Sequence, residues 1–532
     1  GGERSQIYVL DTASGEILYN LEAGHTTMSP VLSRDEQTLF VCNRFNDDLG
    51  LYDLGARKEL CRIPVRREPV SAALTLDGRH LLVASHLPRG RSDVAYVAAT
   101  VSVVDVAARK VVKDLRLPNG SINLRQISVS PDGRYGCVPL SVGRFQVPVT
   151  QLDRGWANTS AMTLIDLSTL EILNTVLLDD VDHGAANPWA TGWSADSHSL
   201  FVTHAGTHEL SVIDFGLLLE KISSLPRTAP TNLAGLKDAA SRCQADVVND
   251  LSFVHGLRRR VKLNGNGPRA LATAGAKLVV AGYFSDSLDV VDLSRLAQAP
   301  EAIPLNPGLQ LTTLRRGEMY FNDASICFQG WQSCASCHDD DGRVDGLNWD
   351  LLNDGIGNPK DTKSLVLSHK TPPVMSLGVR ATAEIAVRSG IQNSLGTMLP
   401  EEVASSIDAW LRSLQPARSP CLVQGKLSEQ ARRGEQIFKS PATGCAGCHE
   451  SELFTDLQSY NVGTRNEFDR EDRVFDTPTL RELWRTAPYL HDGSAATLRD
   501  VLTTRNPKDE HGKTSHLSPA ELDDLVEYLR SL

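Results

Sequence analysis

The chain has 532 residues, of which 41% are hydrophobic and 22% charged, and its formal net charge is −11. This length exceeds one ordinary hydrophobic core, so we expect two or three domains. The acidic balance argues against nucleic-acid binding, which needs clustered Lys and Arg. No apolar run approaches the ~20 residues that cross a bilayer, so we predict no membrane span.

The first half of the chain repeats one plan, in which a β-branched or aromatic run closes with an aspartate. These residues are Asp11, Asp53, Asp105, Asp166, Asp214 and Asp292. Between the runs lie segments such as "TLDGRHLLVAS", where an Asp and a Gly precede an alternating strand, which is a hairpin signal. The repeat length fits the ~40–50 residues of a four-stranded propeller blade, with long loops inserted.

We therefore predict an all-β propeller of six or seven blades at residues 1–308, with a partly helical excursion from one blade at about 216–262. The repeats resemble the YVTN-type propellers of bacterial surface and periplasmic proteins over about residues 3–300. That resemblance specifies blades and no chemistry. Four closely spaced histidines could hold a metal, although polar blade loops often collect histidines. They are His183, His198, His204 and His208.

From about residue 310 the pattern changes to helices and long loops, and it occurs twice. The matching stretches are "RRGEMYF" (315–321) with "RRGEQIF" (432–438), "CASCH" (334–338) with "CAGCH" (445–449), and, without gaps, 361–382 with 476–497. An amphipathic helix closes each copy. We predict two tandem, mostly α cytochrome c-type domains at residues 309–420 and 421–532.

Each copy contains one CxxCH motif. The motif residues are Cys334, Cys337 and His338 in the first copy and Cys445, Cys448 and His449 in the second. In a c-type haem site the two cysteines form thioethers with the porphyrin and the adjacent histidine binds the iron. A redox disulfide or a four-cysteine zinc site is the alternative, but it leaves the histidines and the duplication without a purpose. We predict two covalently bound haem c groups, with His338 and His449 as proximal ligands.

Covalent haem attachment of this kind takes place outside the cytoplasm. We therefore predict a periplasmic or otherwise extracytoplasmic protein whose signal peptide has been removed. The other cysteines could then oxidise, and Cys327 with Cys421, which flank the first motif, is the pair to consider first. Buried free thiols are the alternative.

The tandem "RRGE…CxxCH" units, with "TPTLRELWRTAPYLHDGSAATL" in the second, resemble the bacterial di-haem cytochrome c peroxidase and MauG family over about residues 310–532. The resemblance implies a high-potential electron-transfer haem paired with a haem at which peroxide reacts. It also implies Ca²⁺ between the domains, bound partly by backbone carbonyls at the positions of Thr486 and Pro488. Carbonyl oxygens suit this hard cation.

The chain departs from the family pattern around the first haem. The family's "WDGR" tryptophan, which relays electrons between the haems, aligns with Ser376. Four tryptophans could substitute, although large aromatic residues near a haem are often simple packing. They are Trp331, Trp349, Trp410 and Trp484. The family's distal glutamate has no clear counterpart, and the nearby candidates are Gln392, Glu384 and Glu401.

The distal iron ligands are narrowed by elimination. No methionine follows Met398, so the second domain contains no methionine that could bind its own haem iron. The candidates are His491, His511, His516 and the tyrosines. His511 lies close to where the family places its distal ligand, and we predict that it binds the second iron, which should lower the reduction potential relative to methionine.

For the first iron, the candidates in its own domain are His369, Met375 and Met398, or no protein ligand at all. An iron with an open coordination position favours a reaction at the haem, whereas an iron whose coordination positions are all filled favours electron transfer. We thus predict a di-haem oxidoreductase of the peroxidase or MauG type that uses peroxide or oxygen, with the propeller docking its partner. The alternative is an electron-transfer protein with two six-coordinate haems, and in either case the partner is a redox protein or a small-molecule electron donor.

Overall fold

The computed structural model describes residues 4–147, 157–228, 241–308, 310–339, 341–350 and 358–532. Within these ranges the chain is multidomain and mostly β. We refer to residues 4–308 as the β region, to 310–420 as the first helical half and to 421–532 as the second helical half. None of the described helices is long and apolar enough to cross a membrane.

The β region begins with an antiparallel pair and continues as five antiparallel sheets in chain order. The pair is β1 (Gln6–Leu10) and β2 (Ile17–Glu22). The first sheet is β3 (Thr27–Leu32), β4 (Thr38–Asn43), β5 (Asp48–Asp53) and β6 (Lys58–Pro64). The second is β7 (Pro69–Leu74), β8 (His80–Ser85), β9 (Thr100–Asp105) and β10 (Lys110–Arg116). The third is β11 (Ser121–Ile122), β12 (Ser128–Val129), β13 (Tyr135–Gly143), β14 (Asn158–Asp166) and β15 (Glu171–Leu177). The fourth is β16 (Pro188–Trp193), β17 (Ser199–His204), β18 (Glu209–Asp214) and β19 (Arg258–Lys262), and the fifth is β20 (Pro268–Ala274), β21 (Lys277–Gly282), β22 (Ser287–Asp292) and β23 (Glu301–Pro304).

The repeated aspartates end corresponding strands of these sheets, as the sequence pattern indicates. Asp53, Asp105 and Asp292 are the last residues of β5, β9 and β22. Each carboxylate accepts a hydrogen bond from a backbone N–H of the turn that follows, for example Ala56 N at 2.8 Å from Asp53 Oδ1. An aspartate at this place stabilises the turn because its side chain satisfies backbone donors locally.

Consecutive sheets pack against each other through buried apolar side chains. Phe40 and Leu51 of the first sheet share one hydrophobic cluster with Leu81 of the second, and Phe201 of the fourth sheet shares another with Val280 of the fifth. This succession of antiparallel sheets agrees with the predicted blade repeat. Closure of the sheets into a propeller stays a prediction.

The excursion from the fourth sheet is shorter than predicted. It contains α1 (Phe215–Ser224) and a 3₁₀ turn at Gln244–Asn249, while residues 229–240 lie outside the described residues. Residues 258–262, at the end of the predicted excursion, form β19 and pair with β18. The stretch is a regular strand because Arg258 and Arg260 reach charged partners, Asp180 among them, while Val261 is buried.

The two helical halves contain equivalent elements. The first has α2 (Thr313–Asn322), α3 (Ala335–His338), α4 (Ala383–Asn393) and α5 (Glu401–Ser413), with a short ladder of β24 (Asn348–Trp349) and β25 (Lys360–Asp361). The second has α6 (Glu429–Lys439), α7 (Leu498–Leu502) and α8 (Pro519–Arg530), with β26 (Ser459–Tyr460) and β27 (Phe475–Asp476).

The glycine of each "RRGE" stretch lies where two helices cross. A Cβ at Gly317 of α2 would collide with the backbone oxygen of Ser406 in α5, and a Cβ at Gly434 of α6 would collide with that of Asp524 in α8. Glycine lets the two helix backbones approach because it lacks a side chain. The repeated motif therefore encodes the same helix crossing in both halves.

We predict that Gly434→Ala destabilises the protein by about 1–3 kcal/mol, because the new methyl group must displace backbone rather than a flexible side chain. Urea denaturation of the wild type and the variant measures the loss. Gly390→Ala in α4 is the matched control, since its Cβ would meet open space and alanine favours a helix. An unchanged midpoint for Gly434→Ala would contradict this account of the crossing.

Candidate functional site

The second CxxCH motif lines an apolar cavity of about 400 Å³. Cys445, Cys448 and His449 all contribute to its wall, and Phe438 of α6 and Leu525 of α8 close it. The volume lies within the ~300–1,000 Å³ of pockets that hold a cofactor. The two cysteines and an apolar lining are what a covalently bound porphyrin needs.

His449 is oriented with one ring nitrogen free. Its Nδ1 lies 3.0 Å from the backbone oxygen of Phe454, an arrangement in which Nδ1–H donates and Nε2 remains available to a metal. Burial lowers the pKa of His449, so the ring is neutral at pH 7. A neutral imidazole is the form that binds a metal.

His511 faces His449 across this cavity. Their ring centroids are 6.4 Å apart and the ring planes are inclined by 41°. Two imidazoles that bind one metal from opposite sides, each about 2 Å from it, have centroids about 6 Å apart. Burial, with a smaller contribution from His449, lowers the pKa of His511 to about 4. The pair therefore fits two neutral axial ligands of one iron.

The loop that carries His511 is held by Asn506, a residue that the sequence analysis missed. The Asn506 Oδ1 accepts a hydrogen bond from the His511 backbone N–H at 2.9 Å, and its Nδ2 donates to the backbone oxygen of Gly512 at 2.8 Å. The side chain is buried. The Asn506 side chain supplies hydrogen bonds to the backbone of this loop. It therefore positions His511 without itself being a ligand.

The other histidines near this cavity have different surroundings. His491 Nε2 lies 2.7 Å from Asp469 Oδ2, and its ring stacks on Phe475 at 4.1 Å. Both contacts hold His491 in the wall of the cavity. His516 is exposed, which does not suit a ligand of a buried iron.

The first CxxCH motif forms α3 and is packed between the first helical half and the β region. Cys334 packs against a core that includes Phe321 and Trp410, and Cys337 packs against Trp349. Burial lowers the pKa of His338 to about 4. The proximal histidine of the first motif is therefore also neutral and competent to bind a metal.

Two of the three distal candidates for the first iron have surroundings that do not support ligation. Met398 is 89% exposed, and His369 Nε2 lies 3.1 Å from Asp408 Oδ1. Met375 is half-buried and has φ +74°, like Leu490 (φ +73°) at the same place in the second half. Because Leu490 lines the second cavity, Met375 is the remaining side-chain candidate.

The predicted acid–base candidates lie at the surface. Gln392 is exposed, and Glu384 forms an ion pair with Arg412. Hydrogen bonds at the start of α4, from its own backbone N–H and from Thr382, lower the pKa of Glu384 to about 2 with help from Arg412. A carboxylate that stays ionised is a poor proton donor, and Glu401 is likewise exposed in an ion pair with Arg388.

A buried carboxyl group that the sequence analysis missed lies beside the first motif. Asp345 is fully buried and accepts a hydrogen bond from Trp349 Nε1 at 2.8 Å. Burial raises its pKa to about 7. The second half repeats this arrangement in an exposed form, where Tyr460 donates to Asp456 at 2.6 Å.

The acidic run that follows the first motif begins with a residue that is not exposed to solvent. Asp339 is fully buried, and one of its oxygens lies 2.7 Å from Arg44 while the other lies 3.1 Å from Arg125 and 2.9 Å from His86. Burial opposes ionisation, but His86, Arg44 and Arg125 outweigh it and hold the pKa of Asp339 well below its usual range. All three partners come from the β region. Asp340 lies outside the described residues.

The residues implied for calcium lie at the edge of the second cavity. Thr486 and Pro488 both line it. Next to them, Arg67 of the β region donates to the backbone oxygens of Arg485 at 2.8 Å and Ala487 at 2.6 Å. Among the described residues, no cluster of three or more His, Cys, Asp or Glu side chains is suited to a metal ion.

The remaining predicted sites of the β region are structural. His204 Nε2 lies 2.7 Å from Ser211 Oγ, and His208 Nε2 lies 3.1 Å from Asp323, so the histidine group does not converge on a metal. No disulfide bond joins any of the ten cysteines in the structure. The predicted pair Cys327–Cys421 is therefore not joined in it, and Cys327 is buried in the core of the first helical half.

Comparison with known proteins gives relatives of one kind. A family model described as "RoxA-like, cytochrome c-like" matches residues 474–509. Hydrazine synthase subunit gamma of Kuenenia stuttgartiensis is 35% identical over 274 residues, covering 41% of this chain and 77% of that protein. The methylamine utilization protein MauG of Methylorubrum extorquens is 25% identical over 309 residues, covering 46% of this chain and 85% of that protein.

Further relatives are named cytochrome c peroxidases. Among solved structures, a chain of the hydrazine synthase of Kuenenia stuttgartiensis is 30% identical, with a TM-score of 0.38, and the match covers 43% of this chain and 95% of that chain.

We predict that Asp339→Asn lowers the free energy of unfolding by about 3–5 kcal/mol, because the buried Arg44 and Arg125 would lose the carboxylate that both of them contact. Since the folded-state pKa of Asp339 is depressed, its stabilisation is complete above the unfolded pKa of ~3.9 and is lost as pH falls through the folded value. Urea denaturation at pH 7 and below pH 4 measures both effects.

The control is Asp472→Asn, which removes an exposed charge paired with Arg470 and should change stability by less than about 0.5 kcal/mol. If the two variants were equally stable at pH 7, the buried Asp339 cluster would not be a major stabilising contact.

Proposed function

Because this chain belongs to the c-type cytochrome family that includes hydrazine synthase subunit gamma, we propose that it is a di-haem oxidoreductase of the peroxidase and MauG kind. The proposal assigns a haem c to each CxxCH motif, with His338 and His449 as proximal ligands. The residues of the second half would hold a haem that exchanges electrons, and those of the first half would hold a haem that reacts with peroxide or oxygen. The observation that carries this division is the His449–His511 pair, 6.4 Å apart across an apolar cavity.

A bound haem supplies one-electron chemistry and, where its iron has an open position, binding of peroxide or oxygen. The residues of the second half keep water away from their haem through the apolar wall. Phe454 and Asn506 orient the two histidines. With His449 and His511 both available to one iron, this site would suit electron transfer and would leave no position for an oxidant.

The first site differs because no second histidine is supported as a partner for His338. His369 is held by Asp408 and Met398 is exposed, which leaves Met375 or an exogenous ligand. Asp345, with its pKa raised to about 7, is a buried group beside Cys337 that can give or accept a proton near neutral pH. Asp345 would then have the acid–base role for which Gln392 and Glu384 are the candidates from the sequence.

We also propose that the protein binds the calcium ion that the family resemblance implies. The carbonyl oxygens of Thr486 and Pro488 would hold it. The Oδ1 of the buried Asn348 has no hydrogen-bond partner among the described residues, and an amide oxygen is a suitable additional ligand. Arg67 donates hydrogen bonds to the neighbouring carbonyl oxygens of Arg485 and Ala487.

We further propose that the β region is a six- or seven-bladed propeller that docks a redox partner protein or a substrate, and that the protein works in the periplasm or elsewhere outside the cytoplasm. The repeated sheets support the propeller, and the requirement for covalent haem attachment supports the compartment.

A second candidate function is electron transfer without catalysis, with both irons six-coordinate. It is favoured by the surface positions of Gln392 and Glu384, since a peroxidase needs acid–base groups beside its reactive iron. In this case Met375 would close the first iron.

Electron paramagnetic resonance of the oxidised protein, before and after peroxide, tests the proposal. We expect one low-spin signal from the second haem, unaffected by peroxide, and one high-spin signal from the first haem that disappears when peroxide is added. Two low-spin signals that ignore peroxide, in both the oxidised and the half-reduced protein, would establish the electron-transfer alternative instead.

We predict that His511→Ala opens the second iron. The low-spin signal of this haem should convert to high-spin, and the reduced protein should bind carbon monoxide at two haems. His516→Ala is the control, because the exposed His516 should leave both spectra unchanged. An unaltered low-spin signal in His511→Ala would remove His511 as the ligand.

A further inference from the structure

The two CxxCH motifs differ in one residue, and the difference coincides with their surroundings. Ser336 stands before the second cysteine of the first motif and Gly447 stands there in the second. Ser336 is buried, whereas Gly447 is exposed and its Cβ would meet nothing within 4 Å. At this position the first motif is therefore covered by protein, whereas the second is open to solvent.

The buried motif is held by three asparagines of the β region. Asn123 Nδ2 donates to the backbone oxygen of Ser336 at 2.9 Å. Asn187 Oδ1 accepts from Ser336 Oγ at 2.8 Å, and its Nδ2 donates to Ser333 Oγ at 2.8 Å. Asn158 Nδ2 donates to Cys337 Sγ at 3.3 Å. We name Asn123, Asn158 and Asn187 the asparagine clamp.

Apolar side chains of the β region complete the contact. Val97, Ile122 and Phe145 share one buried cluster with Trp349, and Cys337 packs against it. Two members of the asparagine clamp are buried, Asn123 and Asn158, and Asn158 is only 3% exposed. Hydrogen bonds in such surroundings are stronger than in water because the local dielectric constant is low.

The second motif has no such clamp among the residues that the structure describes. Its hydrogen bonds go to its own half, as in the contact of His449 Nδ1 with the Phe454 backbone oxygen. Its Cys448 is hydrogen-bonded by Tyr460 of the same half, whose side chain is 38% exposed. The second cysteine of the first motif thus has a buried amide donor from the β region, whereas that of the second motif has an exposed phenol donor from its own half.

We infer that the asparagine clamp positions the first haem, and that Asn158 raises its reduction potential by pointing an N–H group at the sulfur of Cys337. This inference rests on the proposed function, because the Cys337 Sγ, a thiol in the structure, stands for the thioether sulfur of a bound haem. The positive end of the N–H dipole stabilises an added electron on the haem. Outer hydrogen bonds and burial are recognised means of adjusting a haem potential.

The test is a redox titration of the full-length holoprotein, followed by absorbance and electron paramagnetic resonance so that the two haems are distinguished. In Asn158→Leu, which removes the donor at similar size, we expect a downward shift of the first haem's midpoint potential and no shift of the second. Asn174→Leu is the matched control, because Asn174 lies in the same sheet and donates to the Gln244 backbone oxygen instead.

A reciprocal pair of variants tests the positioning role. Ser336→Gly removes the contact with Asn187 and should alter the spectrum and potential of the first haem alone. Gly447→Ser adds a hydroxyl group to open space and should alter neither haem. This pair also tests the inference if Asn158→Leu fails to incorporate the first haem.

The outcomes separate the inference from the proposed function. Wild-type protein without haem on Cys334 and Cys337, as shown by peptide mass spectrometry, would contradict the proposed function. Haem at both motifs, with unchanged first-haem potentials in Asn158→Leu and Ser336→Gly, would overturn only the inference. Equal shifts of both haems would also overturn it, since they would indicate a general structural change.

Discussion

The buried carboxylate of Asp339 is the contact on which the arrangement of the molecule depends. It follows His338 directly in the chain, yet its partners Arg44, His86 and Arg125 all belong to the β region. Arg485 of the second helical half lies 3.7 Å from the same carboxylate. Because unpaired buried charges are costly, all three parts of the chain must meet at this point, and the first CxxCH motif is fixed at the junction.

Duplication followed by divergence explains the two sites. Gly317 and Gly434 make the same helix crossing, and Met375 and Leu490 share the same left-handed backbone. The scaffold is therefore one design used twice. The difference lies in what covers each motif, since His511 and an apolar cavity face the second, while side chains of the β region surround the first. Under the proposed function, this difference assigns electron transfer to one haem and reaction to the other.

The pairs Asp345–Trp349 and Asp456–Tyr460 show the same divergence on a smaller scale. Each places a carboxylate against an aromatic N–H or O–H donor beside the second cysteine of its motif, but the first pair is buried and the second partly exposed. Burial is what raises the pKa of Asp345 to about 7. Burial is also the largest single effect on Asp456, but hydrogen bonds from Tyr460 and from the backbone together outweigh it and lower the pKa of that carboxyl group. The same local chemistry thus has different acid–base properties in the two halves.

The sequence by itself determined the local features, because each of them depends on neighbours in the chain or on an internal repeat. These features are the aspartate-terminated strands, the duplicated halves, the CxxCH motifs and His511 as the candidate ligand of the second iron. Only the tertiary structure decided the partners of Asp339, the asparagine clamp, the burial of Asp345 and the surface position of Glu384. Asp339 and Arg125, or Asn158 and Cys337, are far apart in sequence, and an acidic run next to a motif has the same composition whether it is solvated or buried. Long-range contacts and desolvation set these properties, and no local pattern of residues records them.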